Sequence, residues 1–524
     1  VLSSIGDSLM GWMVWDLMRG VDVLLKQPTI DPKRIIMMGS VAGGGDPVGV
    51  TAALDDRIAC VVPFNFGGWQ PESRVQENPD RDTPWFGDGY WESTRGLRYG
   101  ARDGFAHFVI VGSVAPRKVI YAHEFAWDPD KDPAWPRLQK IFGFYDAKSS
   151  IVSVFGKGSV KGPGGPDNTH CNHIGAVHRK GIHPALKEWF GIPMPEEYSK
   201  NRPAADLRCW TEEARKELQP KSLAEVVATL AAERKLAAAS EGRNEWAARL
   251  GNIEAILKPT VTELRTEEVP GGTLARFTLE TDPGITVPVF LITPKGAPAK
   301  VPVVVMTATG GKQAFLAERN DAVAEFLNGG VAVCLVDVRG TGETRPGSSA
   351  DRGSARTSIS QTNLILGQPV LGSQFRDLRT VMQWLKTRDG IDFKKLAVWG
   401  DSFAKVNPPD VRVAVPLDLE TPSVSEPAGA NLALLAGLFE DDVRVVYARG
   451  GLTPRETLTA SPYLYLPHDA VIPGPNPVWG INLPANKVAV AYEATVDAQN
   501  RATGAKPMTG KEAAAWVSAK LRGK

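Results

Sequence analysis

The sequence predicts an α/β protein of two domains, each built on a mostly parallel sheet covered by helices. Three observations carry that expectation. A chain of 524 residues is longer than one hydrophobic core usually serves, since single cores stop growing at roughly 250–300 residues. Apolar β-branched runs alternate with amphipathic helical patterns, which is how parallel sheets with crossover helices read. The chain also repeats itself: Asp16 to Gly39 (DLMRGVDVLLKQPTIDPKRIIMMG) lies without a gap on Asp377 to Gly400 (DLRTVMQWLKTRDGIDFKKLAVWG). The next positions pair Ser40 with Asp401 and Val41 with Ser402.

Taken in order, residues 1–27 read as a helix with Leu9, Met13, Leu17, Val21 and Leu24 at near-helical spacing. Pro28 and Asp31-Pro32 end it, and 35–38 form a short buried strand. A helix over 44–54 and a strand over 58–64 follow. The next stretch is irregular and aromatic (Trp69, Trp85, Phe86, Tyr90, Trp91, Tyr99), either packing for an insertion or a platform at a pocket mouth. Strands are expected at 118–123 and 151–155, with helices at 136–145 and 184–190. The Ala, Leu, Glu, Lys and Arg content of 201–258 gives a helical connector, broken near Pro220. From 259 the pattern is strands (260–268, 273–280, 286–291, 301–306, 331–336), with a helix at 322–327 and GG and DPG turn signals. The expected domains are therefore 1–200 and 259–524, with 201–258 between them.

Composition narrows function. Apolar content of 43%, charge of 23% and a net charge of +1 describe a globular protein with no electrostatic pull toward nucleic acid or anionic membrane. No apolar run reaches about 18 residues, so no membrane span is expected. Cys60, Cys171, Cys209 and Cys334 are far apart and suggest no disulfide framework. The chain opens on Val1 without a signal-peptide pattern. Localisation is left open, as is whether this terminus is natural, and the first domain is expected to lack its leading strands.

The second half, through VPVFLITPKG, VVVMTATGG, GVAVCLVDVRGTGE and RDLRTVMQWLKTRDGIDFKKLAVWGDSF, resembles the α/β-hydrolase superfamily and within it the bacterial acetyl-xylan-esterase-like branch. The first half resembles the same branch through MGWMVWDLMRGVDVLL, PKRIIMMGSVAGGG and THCNHIGAVHRKGIHPALKEWF. The resemblance implies tandem hydrolase domains, the first truncated. It also implies a serine nucleophile on a strand-to-helix elbow, followed in sequence by an acid and a histidine, and makes a secreted or periplasmic home possible.

Carried over residue by residue, Ser402 in GDSFA takes the elbow position of the second copy, and the first copy has Val41 there. Ser40 is the hydroxyl adjacent to that tip. Oxyanion donors are expected from the Phe403 backbone with Gly310 and Gly311 in the second copy, and from Ala42 in the first. Asn407-Pro408-Pro409 follows Ser402 closely, so the helix that normally continues the elbow is expected to be absent. The acid is Glu124 or Asp128 in the first copy and Glu493 or Asp497 in the second, because KVIYAHEFAWD and KVAVAYEATVD align. The base is His170, with His173 as the alternative. The second copy has no histidine after Asp497; His468, like its counterpart His107, precedes the acid. Neither copy is complete.

The group His170, Cys171, His173, His178 and His183 lacks a second ligand pair at zinc-site spacing, and neither GGGD nor ATGGK completes a phosphate-binding fingerprint. No metal or cofactor is expected. Two functions remain: a carboxylic-ester hydrolase acting on a small-molecule or polysaccharide ester, in particular acylated carbohydrate, or a degenerate tandem protein serving as scaffold or ligand-binding module.

Overall fold

A computed structural model describes the chain except residues 1, 41–42, 67–97, 101, 130–131, 133, 159–168, 170–173, 198–199, 201, 238–241, 297–298, 347–354, 412–422, 453–464, 468–469, 471, 475–479 and 524. It is α/β, with one parallel sheet and one mixed sheet, both covered by helices. Two compact units divide it: residues 8–221 with 364–367, and residues 1–7 with 222–363 and 368–524. Among the described residues no helix is long and apolar enough to cross a membrane.

The parallel-sheet unit opens with α1 (Leu9–Leu25), started by Ser8, whose Oγ accepts the Gly11 N–H at 3.0 Å. The face it buries carries Met10, Val14 and Val21. Leu9 and Leu24 of the expected stripe are exposed, so the buried arc is turned from the one the spacing suggested. Then come β1 (Ile36–Ser40), α2 (Gly45–Leu54), β2 (Cys60–Phe64), α3 (His107–Gly112), β3 (Lys118–His123), α4 (Ala134–Gly143), β4 (Ile151–Phe155) and α5 (Ala176–Phe190). α5 starts well before Pro184, which lies inside it, so the helix is longer than that proline suggested. The four strands are parallel and lie in sequence order. One face packs on α1, α2, α3 and α4 through Val14, Val48, Ile110 and Leu138. The other packs on α5 through Ile182, Ala185 and Leu186.

α6 (Glu212–Leu218) precedes the break at Pro220, and α7 (Leu223–Ala237) and α8 (Arg243–Leu250) group with the mixed-sheet unit. Trp246 and Leu250 of α8, with Ile253 beyond it, sit in that unit's main core. The sheet forms from β5 (Val261–Val269), β6 (Gly272–Asp282), β7 (Ile285–Pro294), β8 (Val301–Ala308), β9 (Ala332–Val336), β10 (Ile391–Asp401), β11 (Val443–Leu452) and β12 (Ala489–Val496). Its order is β12-β11-β10-β8-β9-β7-β6-β5, antiparallel from β5 to the β7–β9 pair and parallel elsewhere. Helices α9 (Gly311–Glu318), α10 (Asn320–Asn328), α11 (Ala355–Ile365), α12 (Val370–Lys386), α13 (Ala428–Phe439) and α14 (Gly510–Leu521) complete this part of the chain.

The helix expected to be missing after Ser402 is present but late. Residues 402–411 are not helical, and α13 seats its start against the end of β10. A Cβ on Gly400 would lie 1.9 Å from the Gly429 carbonyl oxygen. In the parallel sheet the same approach joins Gly39 to Gly44, where a Cβ would meet the Gly44 oxygen at 2.4 Å, and α2 begins almost at once. Both strand ends therefore carry a helix against glycine backbone, and they differ in how much chain intervenes.

Candidate functional site

Ser40 closes β1, and Glu124 follows β3, so both stand at the carboxyl ends of parallel strands, where α/β sheets gather ligands and chemistry. The register lines Ser40 up with Phe64, and Phe64 with Ala122. Alternation then puts Glu124, two residues past Ala122, on the face that Ser40 uses. The two side chains meet: the Ser40 hydroxyl donates to Glu124 Oε1 at 3.0 Å.

Glu124 is buried and held on all sides. Asn65, just past β2, donates from Nδ2 to Glu124 Oε2 at 3.2 Å and accepts the Glu124 N–H at 3.0 Å. The His178 ring accepts the Gly175 N–H at Nδ1 (3.0 Å), which leaves its proton on Nε2 to donate to the Glu124 carbonyl at 2.9 Å. Thr169 Oγ1 contacts the same carbonyl and takes the Lys157 N–H at 2.7 Å. Gly156 makes room for all three: a Cβ there would fall 2.0 Å from Thr169 Oγ1, 2.1 Å from the Glu124 oxygen and 2.6 Å from His178 Nε2. With both ring nitrogens engaged, His178 is not available to a metal. His123, next to Glu124, stacks on Trp127 with centroids 4.4 Å apart. Burial drives its pKa down to about 3, so it stays neutral and adds no positive charge beside the acid. Asp128, the other acid expected from sequence, is exposed.

In the mixed sheet the corresponding strand ends carry a different chemistry. Ser402 follows β10; its Oγ accepts the Ala404 N–H at 3.3 Å, and a Cβ on Gly450 would lie 2.2 Å from Ser402 Cβ. Asp401 is buried and receives Arg319 Nε at 3.0 Å and Trp399 Nε1 at 3.1 Å. Its burial raises the carboxyl pKa, with Arg319 opposing. Arg449 Nε lies 3.1 Å from Glu493 Oε2, while the Met508 N–H donates to Oε1 at 3.0 Å. Asp497 closes a turn, accepting the Gln499 and Arg501 N–H groups at 2.9 Å each and Arg501 Nε at 2.9 Å. No hydrogen bond or ion pair found among the described residues joins Glu493 or Asp497 to Ser402.

The chain after Ser402 is stapled down. The Asn407 N–H donates to Asn500 O at 2.8 Å, Asn407 Nδ2 to Gln499 O at 2.9 Å, and Asn500 Nδ2 to Lys405 O at 3.0 Å. A Cβ on Gly310 would come 3.3 Å from the Phe403 ring, so the turn after β8 packs on that side chain. Gly311, at φ +68°, leaves space for Asp337, which takes the Lys312 N–H and the Lys312 Nζ at 2.6 Å each. That turn is locked by a buried ion pair.

Of the residues singled out by sequence, Ser40 and Glu124 are brought together, and Gly310 approaches the Phe403 side chain, while Ser402 meets Ala404 and Gly450. Val41, Ala42, His170, Cys171, His173 and His468 lie outside the described residues. His107 begins α3 with its ring edge-on to Phe66. Sequence reasoning missed Asn65, Arg319 and Arg449, and weighed His178 only as a metal ligand, whereas its ring holds the Glu124 carbonyl. The only hint of Asn65 was a polar residue standing directly after an apolar strand.

No protein-family model matches the chain, and no curated protein sequence matches it. Solved structures similar to it include a Bacteroides fragilis protein assigned as an acetyl xylan esterase, at 17% identity and TM-score 0.31, covering 44% of this chain and 61% of that one. Acetyl xylan esterase 1 from Thermoanaerobacterium sp. matches at 16% and 0.25, covering 36% and 52%. A glucuronoyl esterase from Solibacter usitatus matches at 12% and 0.27, covering 41% and 62%. The chain thus spans between 52% and 62% of the length of these proteins. At such identities and scores the likeness bears on neither the reaction nor the residues that perform it.

Proposed function

We propose that the chain is a carboxylic-ester hydrolase of the acylated-carbohydrate type, working at the Ser40–Glu124 site, with the mixed-sheet unit as a non-catalytic hydrolase-like partner in a tandem arrangement. The 3.0 Å hydrogen bond from Ser40 to Glu124 carries this reading. It gives a serine hydroxyl a buried proton acceptor at the carboxyl edge of a parallel sheet. In the proposed reaction Ser40 Oγ attacks the ester carbonyl carbon and its proton passes to the acid–base group formed by Glu124 and, from its place in the sequence, His170. The tetrahedral intermediate collapses with loss of the alcohol, which takes that proton. Water activated by the same group then hydrolyses the acyl-serine, releasing the acid and restoring Ser40.

Hydrolysis of p-nitrophenyl acetate by the whole chain tests this. Ser40→Ala is expected to reduce activity by roughly 100-fold or more, while Ser402→Ala leaves it unchanged. A second reading, a scaffold with no esterase activity, is favoured by the arginine pairing of Asp401, next to Ser402, and of Glu493. Wild type and both variants at the buffer blank would select it. Loss of activity only in Ser402→Ala would move the site to the mixed sheet.

A further inference from the structure

We infer that Asn65 is a positioning residue that fixes which oxygen of Glu124 serves Ser40, an assignment that rests on the esterase reading. Asn65 adopts φ 51°, a left-handed backbone uncommon outside glycine, asparagine and aspartate. Its N–H donates to the Ala122 carbonyl at 2.9 Å, which ties the residue to the end of β3. From there its amide closes a ring with Glu124, accepting from the backbone N–H at 3.0 Å and donating to Oε2 at 3.2 Å. Oε1 is left turned toward the Ser40 hydroxyl at 3.0 Å.

A carboxylate free to rotate would present either oxygen, and a bond to only one removes that freedom. The strained φ has its reason here, because the backbone turn aims the amide at both ends of Glu124 at once. His178 holds the backbone carbonyl of Glu124, and Asn65 reaches its carboxylate.

Two variants suit the backbone at this position, since glycine and aspartate both tolerate left-handed φ. Asn65→Gly removes the amide, and Asn65→Asp keeps the acceptor but places a second carboxylate against the first. For p-nitrophenyl acetate hydrolysis, Asn65→Gly is expected to lower kcat roughly 10- to 100-fold, the value of one hydrogen bond to a charged group, with KM changed less than about twofold. Asn65→Asp is expected to move the acidic limb of the kcat/KM profile upward by about one pH unit or more, as like-charged neighbours do. Unchanged kcat in both variants, or loss matched by loss of folded protein in circular dichroism, overturns the assignment.

A crystal structure of Asn65→Gly separates this from failure of the esterase reading. If Ser40 proves catalytically silent, a Glu124 carboxylate rotated away from Ser40 still supports the positioning role. A carboxylate unmoved rejects that role, whatever Ser40 does.

Discussion

Glu124 and Glu493 stand at matching places in the sequence, yet one receives a serine hydroxyl and the other an arginine. The acid's identity therefore says less than its neighbours do. Arg449 and Ser40 come from strands far from either glutamate in sequence, so nothing near KVIYAHEFAWD or KVAVAYEATVD distinguishes the two. At the same scale, His123 gives a pH signature. Its pKa falls from the ordinary 6.5 to about 3 on burial, so the unfolded chain binds its proton first as pH drops. The stability it contributes is complete above pH 6.5 and is lost from there down toward pH 3, at about 1.4 kcal/mol per pH unit. Urea unfolding at about pH 7 and about pH 5.5 should show that slope in wild type and a shallower one in His123→Phe, which keeps an aromatic ring on Trp127. Thiol reactivity offers a second check. Burial raises Cys60 to about 12 and pushes Cys334 up as well, whereas Cys209 is exposed. Peptide mapping after native-state labelling should find Cys209 modified and Cys60 and Cys334 spared.

At the scale of elements, the two strand-to-helix junctions differ in the length of chain inserted between strand and helix. Gly39 and Gly44 lie close enough in sequence to be read as one turn, while Gly400 and Gly429 become neighbours only when α13 packs on β10. Asn407-Pro408-Pro409 excludes a helix locally, but those residues cannot report on a helix that returns later. A Cβ at position 429 would meet the Asp401 oxygen at 2.4 Å and the Thr307 oxygen at 2.7 Å, both backbone atoms that cannot swing aside. Gly429→Ala is accordingly expected to destabilise the mixed-sheet unit by about 1–3 kcal/mol, read as a lower urea midpoint. Asn407 and Asn500 add a further local constraint, since their amides hold 405–407 against the turn after β12.

For the whole molecule, the division into units does not follow the change from helix to strand pattern near residue 259. α7 and α8 group with the mixed sheet, and Trp246, Leu250 and Ile253 lie in its core. Trp246→Ala should cost about 3–5 kcal/mol in that unit. Hydrogen exchange followed by peptide analysis should show the loss in β6, β7 and α12 and leave β1 to β4 protected as before. The sequence by itself determined the α/β class, most strands and helices, the repeat and the pairing of Ser40 with Asp401, because periodicity and ungapped similarity are properties of the linear chain. Tertiary structure alone decided that Ser40 meets Glu124, that Asn65 and His178 hold that acid, and that Arg319 and Arg449 occupy Asp401 and Glu493. Strand order and register choose such partners, and a lone polar residue carries no mark of the carboxylate it will face.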